Sequence, residues 1–230
     1  MRYVKLLSGI RRNSNVDEAT LTSNAWRFTP ATFANRISLG RFKVEHHIRF
    51  LSNKIAATIA KGGGRLIISA PPRHGKSTLI SQWLPIWYLE HWPDKRVVVA
   101  AYGDDIACEW GRKVRNEFQD NELLATDLRN DSTAAGRWNT PAGGGMVSVG
   151  VGGPLSGRGF DIGICDDLIK NWQDAHSLTV QMHLWDWWKS TFYTRAEPGA
   201  TIIVGMTRWG TADIIAQLIE EQPGVWEVIH

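Results

Sequence analysis

Nine consecutive residues, Ala70-Pro-Pro-Arg-His-Gly-Lys-Ser-Thr78, carry the side chains and the glycine that a phosphate-binding loop needs. An apolar run, Leu66-Ile-Ile-Ser-Ala70, precedes them, and the pattern after them predicts a helix over 76–90. That is the strand–loop–helix setting in which backbone N–H groups wrap a β-phosphate and the helix N-terminus adds partial positive charge. Pro72, Arg73, His74, Gly75, Lys76, Ser77 and Thr78 are the candidate nucleotide contacts. Lys76 is expected to reach the β- and γ-phosphates, and the Ser77 hydroxyl to ligate Mg²⁺ beside ATP. The pattern G-x-x-x-x-G-K-[ST] is met with Ala70 in place of the first glycine. Arg73 puts a second cation in the loop, able to touch the nucleotide or to face water.

Hydrolysis also needs a metal-holding acid and a group that positions water. Ile162-Gly-Ile-Cys-Asp-Asp167 offers both at the end of a predicted strand, where open α/β sheets bind ligands. Asp166 is the candidate metal acid, and Asp167 the group that orients or deprotonates the attacking water. Two adjacent carboxylates repel and desolvate badly without a cation, which favours a metal over a simple turn cap. Arg158, in a Gly-Arg-Gly stretch, suits an arginine finger, or is a solvated loop residue. Thr207 and Arg208 end a further predicted strand, where Thr207 can sense the γ-phosphate or merely close a turn. Asn171-Trp-Gln-Asp174 lacks the lysine of a guanine-reading N-K-x-D and follows the acid pair too closely. His46 and His47, adjacent on a predicted helix, do not face one metal.

These residues need a scaffold, and 230 residues suffice for one sizeable α/β domain. The net charge of +3 neither requires nor excludes nucleic acid. Two cysteines, Cys108 and Cys165, make no disulfide framework or zinc site and read as small buried residues. No apolar run reaches the ~18 residues of a membrane span, and the first 13 residues do not read as a signal peptide. Twelve tryptophans, mostly at helical spacing, read first as core.

Along the chain, residues 1–40 show no strong period, with Trp26 and Phe28 expected to pack onto the domain. Val44, Ile48, Leu51, Ile55 and Ile59 mark one face of a helix that Gly62-Gly-Gly64 ends. Pro85 is expected to bend the helix after the loop. A buried strand follows at 96–102, then a helix capped by Asp104 and Asp105. Residues 126–151 read as a hairpin or surface excursion. Strands are predicted at 160–165, 201–206 and 225–229. Between them lie a helix with Leu178, Met182, Trp185, Trp188 and Phe192 on one face, and a short helix at 211–221. The alternation predicts α/β with a mainly parallel central sheet flanked by helices.

Taken in order, Pro71-Pro-Arg-His-Gly-Lys-Ser77, Ser156-Gly-Arg-Gly-Phe160, Ile164-Cys-Asp-Asp-Leu-Ile-Lys170 and Gly205-Met-Thr-Arg-Trp209 resemble the ATPase domain of tailed-phage terminase large subunits. The resemblance covers roughly residues 40–230. It implies a P-loop NTPase of the additional-strand (ASCE) type, with residues 1–40 as an extension on a 41–230 ATPase domain. It implies ATP hydrolysis, with Mg²⁺, that drives double-stranded viral DNA into a procapsid. It implies a portal protein and a small terminase subunit as partners, and a homo-oligomeric ring, usually a pentamer, in the host cytoplasm and on the portal. No membrane partner is implied. Arg73 would match an arginine acting in cis, Arg158 one offered in trans, and Thr207 the coupling motif. The stretch from Phe42 to His47 lies where the family contacts adenine. Many members carry Asp-Glu where this chain has Asp166-Asp167, so the shorter acid must approach more closely or act through another water. Members also carry a C-terminal two-metal nuclease, which is not expected in this fragment.

Three other readings compete. A helicase-like nucleic-acid ATPase, the nearest alternative, would show helicase motifs after the acid pair. A small-molecule kinase would begin close to its P-loop. A non-enzymatic nucleotide scaffold would not need Asp167.

Overall fold

The computed structural model describes residues 24–155, 157, 159–208 and 213–230. Its framework is an eight-stranded sheet in the order β3-β4-β5-β2-β6-β7-β1-β8. The strands are β1 (Arg65–Ser69), β2 (Arg96–Ala101), β3 (Thr133–Ala134), β4 (Arg137–Asn139), β5 (Gly145–Gly150), β6 (Phe160–Asp166), β7 (Ala196–Met206) and β8 (Glu227–Ile229). All neighbours from β5 to β8 run parallel, and only the small β3-β4 hairpin enters antiparallel. Central strands are apolar on both faces because helices cover both. Val97 and Val99 of β2 pack into one core, and Val98 and Ala100 into the other. β1 divides in the same way, Leu66 and Ile68 against Ile67.

The first core is covered by α1 (Pro30–Ile37), α2 (His46–Lys61), the helix after the loop, and α4 (Asp104–Asp120). The helix after the loop opens with a π-helical stretch, Thr78–Trp83, and becomes α3 (Leu84–His91) one residue before Pro85. Proline has no N–H to continue the ladder, and the change of helix type is where that irregularity is taken up. α1 is a departure from the expectation that residues 1–40 show no strong period, since its buried Pro30, Phe33, Ala34 and Ile37 recur at helical spacing. Its start carries local signals as well. The Thr29 hydroxyl caps it by accepting from the Thr32 N–H, and Pro30 takes the first turn. Phe33 and Ile37 of α1 are buried, each contributing roughly 1.5–3 kcal/mol.

The second core is covered by α5 (Trp172–Ala175), α6 (Leu178–Trp187) with its π-helical continuation Trp188–Phe192, and α7 (Ile214–Glu221). The apolar face expected for α6 holds at Trp185, Trp188 and Phe192 and needs correction at its start. Leu178 and Met182 are exposed, at 74% and 61%, while Leu184, Trp187, Trp188 and Phe192 are buried. The π-helical stretch shifts the angular register, so a single regular 3.6-residue period does not carry through the helix. The capping of α4 also differs. Gly103 occupies the N-cap, and Asp104 Oδ1 accepts from the Gly150 N–H at 2.6 Å, tying the end of β5 to the helix. The stretch 126–151, expected as a hairpin or excursion, does pair antiparallel, β3 with β4 and β4 with β5, but β5 is also a buried strand paired with β2.

Among the described residues six tryptophans are buried, Trp83, Trp87, Trp138, Trp187, Trp188 and Trp226, and four more pack partly against the cores. Trp172 is instead exposed. Cys165 is buried and Cys108 half-buried, and both are free thiols. No helix among the described residues is long and apolar enough to cross a membrane.

Candidate functional site

The loop at 70–77 leaves the C-terminal end of β1 and returns into the helix that begins the first core. Its backbone alternates in hand. Arg73 has φ +63° and Gly75 φ +77°, with His74 between them outside the positive region. Alternation of this kind turns successive N–H groups toward one concave side, an anion-binding arrangement. Pro71, Pro72, Arg73 and His74 are exposed, whereas Lys76 is only 4% exposed. His74 Nδ1 donates to the Pro72 carbonyl at 2.9 Å, and His47 Nε2, from α2, donates to the His74 carbonyl at 3.0 Å.

Asp166 ends β6, and β7 lies between β6 and β1. Lys76 must therefore cross β7 to meet the acids. Gly205 lies under the crossing and leaves room there for the Ile80 side chain. It pairs with Asp166 in register, and a Cβ there would lie 3.4 Å from Lys76 Cδ and 2.2 Å from Ile80 Cδ1. Lys76 Nζ donates to Asp166 Oδ1 at 3.1 Å and to Asp167 Oδ1 at 2.7 Å. Ser77 Oγ donates to Asp166 Oδ1 at 3.1 Å, and Ser81 Oγ to Asp166 Oδ2 at 2.8 Å. Burial raises the Asp166 pKa above the ordinary carboxylate value. Lys76 opposes that rise and Asp167 adds to it.

Asp167 stands differently. Its side chain is 41% exposed and its backbone is left-handed, φ +47°. The strand ends on both sides hold it there. Its N–H donates to the Gly205 carbonyl, and its carbonyl accepts from the Tyr102 N–H. The Thr207 N–H donates to Asp167 Oδ1 at 3.2 Å. An unusual backbone fixed by its neighbours is characteristic of functional positions. A rigid, half-open carboxylate beside a buried one is suited to taking a proton from water.

The donor set fits a hard divalent cation. Ser77 Oγ and the Asp166 carboxylate are oxygen ligands that already approach each other, and Mg²⁺ favours one or two protein oxygens with phosphates and water completing its shell. Among the described residues no cluster of three or more His, Cys, Asp or Glu side chains could hold a metal unaided.

The structure therefore brings Lys76, Ser77, Asp166, Asp167 and the Thr207 backbone into one cluster. Arg73 is exposed on the loop and Thr78 is half-buried. Arg158 lies outside the described residues. Arg208 Nε donates to Asp213 Oδ2 at 2.8 Å, and Asp213 also caps α7. Asn171 caps α5 by accepting from the Asp174 N–H, a purely local use of that tetrad. Ser81 and Gly205 went unrecognised in the sequence, and His47 stands out there only within the stretch 42–47 and beside His46, not as a partner of the loop. Ser81 is four residues after Ser77, a helical spacing that does signal a shared side. Gly205 has meaning only once β7 is known to separate the two chemical strands. His47 reaches the loop from 27 positions upstream, with no local signal.

Comparison with known proteins adds three findings. Residues 67–222 match the model of the N-terminal part of the terminase large subunit, T4-like virus type. Among solved structures, the large terminase of bacteriophage HK97 is similar at 14% identity and a TM-score of 0.48, over 73% of this chain and 35% of that one. This chain thus spans about a third of the length of that terminase. Among curated proteins, none matches.

Proposed function

This chain belongs to the terminase large subunit family, by its N-terminal domain, and from that premise we propose that it is the ATP-hydrolysing motor domain of a DNA-packaging machine. The family works in phage DNA packaging; the ATPase step, the site residues and the assembly below are our reading. The observation that carries it is the Lys76 ammonium, which crosses β7 to both Asp166 and Asp167. The strand between the loop strand and the acid strand supports reading the fold as the additional-strand P-loop type.

In this reading the backbone N–H groups of the loop bind the β-phosphate, and Lys76 binds the β- and γ-phosphates. Ser77 and Asp166 would hold Mg²⁺, which when bound neutralises charge on the phosphate oxygens. Ser81 fixes the second oxygen of Asp166 so that the first faces the site. Lys76 shares Asp167 Oδ1 with the Thr207 N–H, so phosphates that draw the ammonium away free that oxygen to orient water and accept its proton. Thr207 follows β7 directly and is placed to sense that change. Arg73 and Arg158 would add cationic charge, the first in cis and the second from a neighbouring subunit. The assembly is a homo-oligomeric ring, a pentamer by family, docked on a portal in the host cytoplasm, with a small terminase subunit and double-stranded DNA as partners.

Phosphate release from ATP, measured with and without Mg²⁺ and double-stranded DNA, tests the proposal. Turnover that needs Mg²⁺ and Lys76, and that rises with DNA or with protein concentration, supports it. ATP binding without hydrolysis under every one of these conditions would leave a nucleotide scaffold instead.

A further inference from the structure

We propose that His47 is a positioning residue for polyphosphate binding, acting on the backbone of the loop rather than on the nucleotide. It rests on the reading of 71–78 as a phosphate-binding loop and deepens it.

The exposed part of that loop belongs to no strand or helix, so its carbonyls are not held by a regular ladder. Two imidazoles hold them instead. His74 Nδ1 takes the Pro72 carbonyl, and His47 Nε2 takes the His74 carbonyl. A carbonyl only accepts, so His47 must carry its proton on Nε2. A trans peptide unit is planar, with its C=O and N–H pointing in opposite directions. Holding the His74 carbonyl toward α2 therefore aims the Gly75 N–H to the other side. Holding the Pro72 carbonyl does the same for the Arg73 N–H. These two peptide units carry the two left-handed residues, Arg73 and Gly75, of which Arg73 is the one whose Cβ makes that conformation costly.

The lever is anchored. His47 lies in the first turn of α2, and the next residue, Ile48, is buried. A Cβ on Gly75 would come within 3.1 Å of Ile48 Cδ1, so α2 backs directly onto the loop. The His47 and His74 rings also meet edge to face, with centroids 5.9 Å apart. His47 itself is exposed, so its replacement removes a constraint on the loop without opening the core.

The test uses the full chain and two probes, ATP and inorganic tripolyphosphate, which has no base or sugar. His47→Ala is expected to weaken both by a similar factor, roughly three- to tenfold, as one hydrogen bond of ordinary net strength would. His47→Phe keeps a ring against His74 but has no donor, and should behave as His47→Ala does. His47→Gln restores an N–H donor and should recover most of the affinity. Unchanged tripolyphosphate binding by His47→Ala overturns the proposal, as does a loss confined to ATP, which would make His47 a contact to the base or sugar. Lys76→Ala separates the two levels. If it abolishes binding of both probes while His47→Ala changes neither, the loop reading stands and the role of His47 falls. If Lys76→Ala leaves both intact, the loop reading fails and the role of His47 with it.

Discussion

The Lys76 ammonium lies 2.7 Å from the Asp167 carboxylate, across a strand that carries neither residue. The same ammonium lies 3.1 Å from Asp166, which is 3% exposed. One cation thus pairs with two adjacent acids, one buried and one half-open. Stability and chemistry are linked through it.

Removing Lys76 should affect both. Lys76→Ala is expected to reduce phosphate release to background. It should also destabilise the fold, since it leaves buried Asp166 beside Asp167 with no cation. Breaking a buried pair typically costs about 3–5 kcal/mol, and the half-exposed Asp167 should place this case at the lower end. Lys76→Met with Asp166→Asn removes both charges and should regain most of the stability but none of the activity. Urea denaturation of the three proteins checks this. A single variant as stable as the parent would mean the pair contributes nothing to the fold.

The two acids should separate by function. Asp166→Ala is expected to weaken Mg²⁺-dependent ATP binding. Asp167→Asn should bind nearly normally and lower the chemical step, because it keeps size while removing the basic oxygen. Equilibrium binding with a fluorescent nucleotide, beside single-turnover hydrolysis, distinguishes them. The reverse pattern would exchange the two roles.

Gly205 should tolerate no side chain while Ile80 keeps its length. Gly205→Ala puts a Cβ 2.2 Å from Ile80 Cδ1, an overpacking that costs roughly 1–3 kcal/mol. Ile80→Val removes the atom that collides, so the double variant should be more stable than the sum of the single effects predicts. Strict additivity in a thermodynamic cycle would place the clash elsewhere.

His91 should make stability depend on pH. Burial among Phe33, Trp87 and Trp92 lowers its pKa to about 4, against 6.5 for an ordinary histidine. Between these values the unfolded chain takes up a proton that the folded chain refuses. The contribution is therefore complete above about pH 6.5 and is lost as pH falls toward 4, reaching at most about 3 kcal/mol. From pH 7.5 to pH 5 the parent should lose about 2 kcal/mol more than His91→Gln, measured from urea midpoints. Equal losses would show that His91 is not the titrating group.

Much of this site was legible in the residues because its chemistry is local in the chain. Residues 70–78 carry the glycine, lysine and hydroxyl pattern expected of a phosphate loop, and the structure brings Lys76 and Ser77 of that run to the acid pair. Asp166 and Asp167 stand together at the end of an apolar run. The parallel sheet follows from strands buried on both faces, a pattern that needs no knowledge of their neighbours. The apolar face of α6 was legible at Trp185, Trp188 and Phe192 but not at Leu178 and Met182, because a single regular period does not carry through a helix that turns π-helical.

What only the tertiary structure decided is the order of the strands and the contacts that depend on it. No pattern within β7 says that it lies between β1 and β6, yet that placement sets Gly205 beneath Lys76 and against Ile80. Ser81 becomes a support for Asp166 only when a helix from one part of the chain meets a strand some eighty residues later. His47 becomes a partner of the loop in the same way. The physical reason is common to all three. Backbone pattern and residue type are properties of neighbours in sequence. Which side chain satisfies a buried carboxylate or an outward carbonyl is settled by packing, and packing joins residues that the chain itself keeps apart.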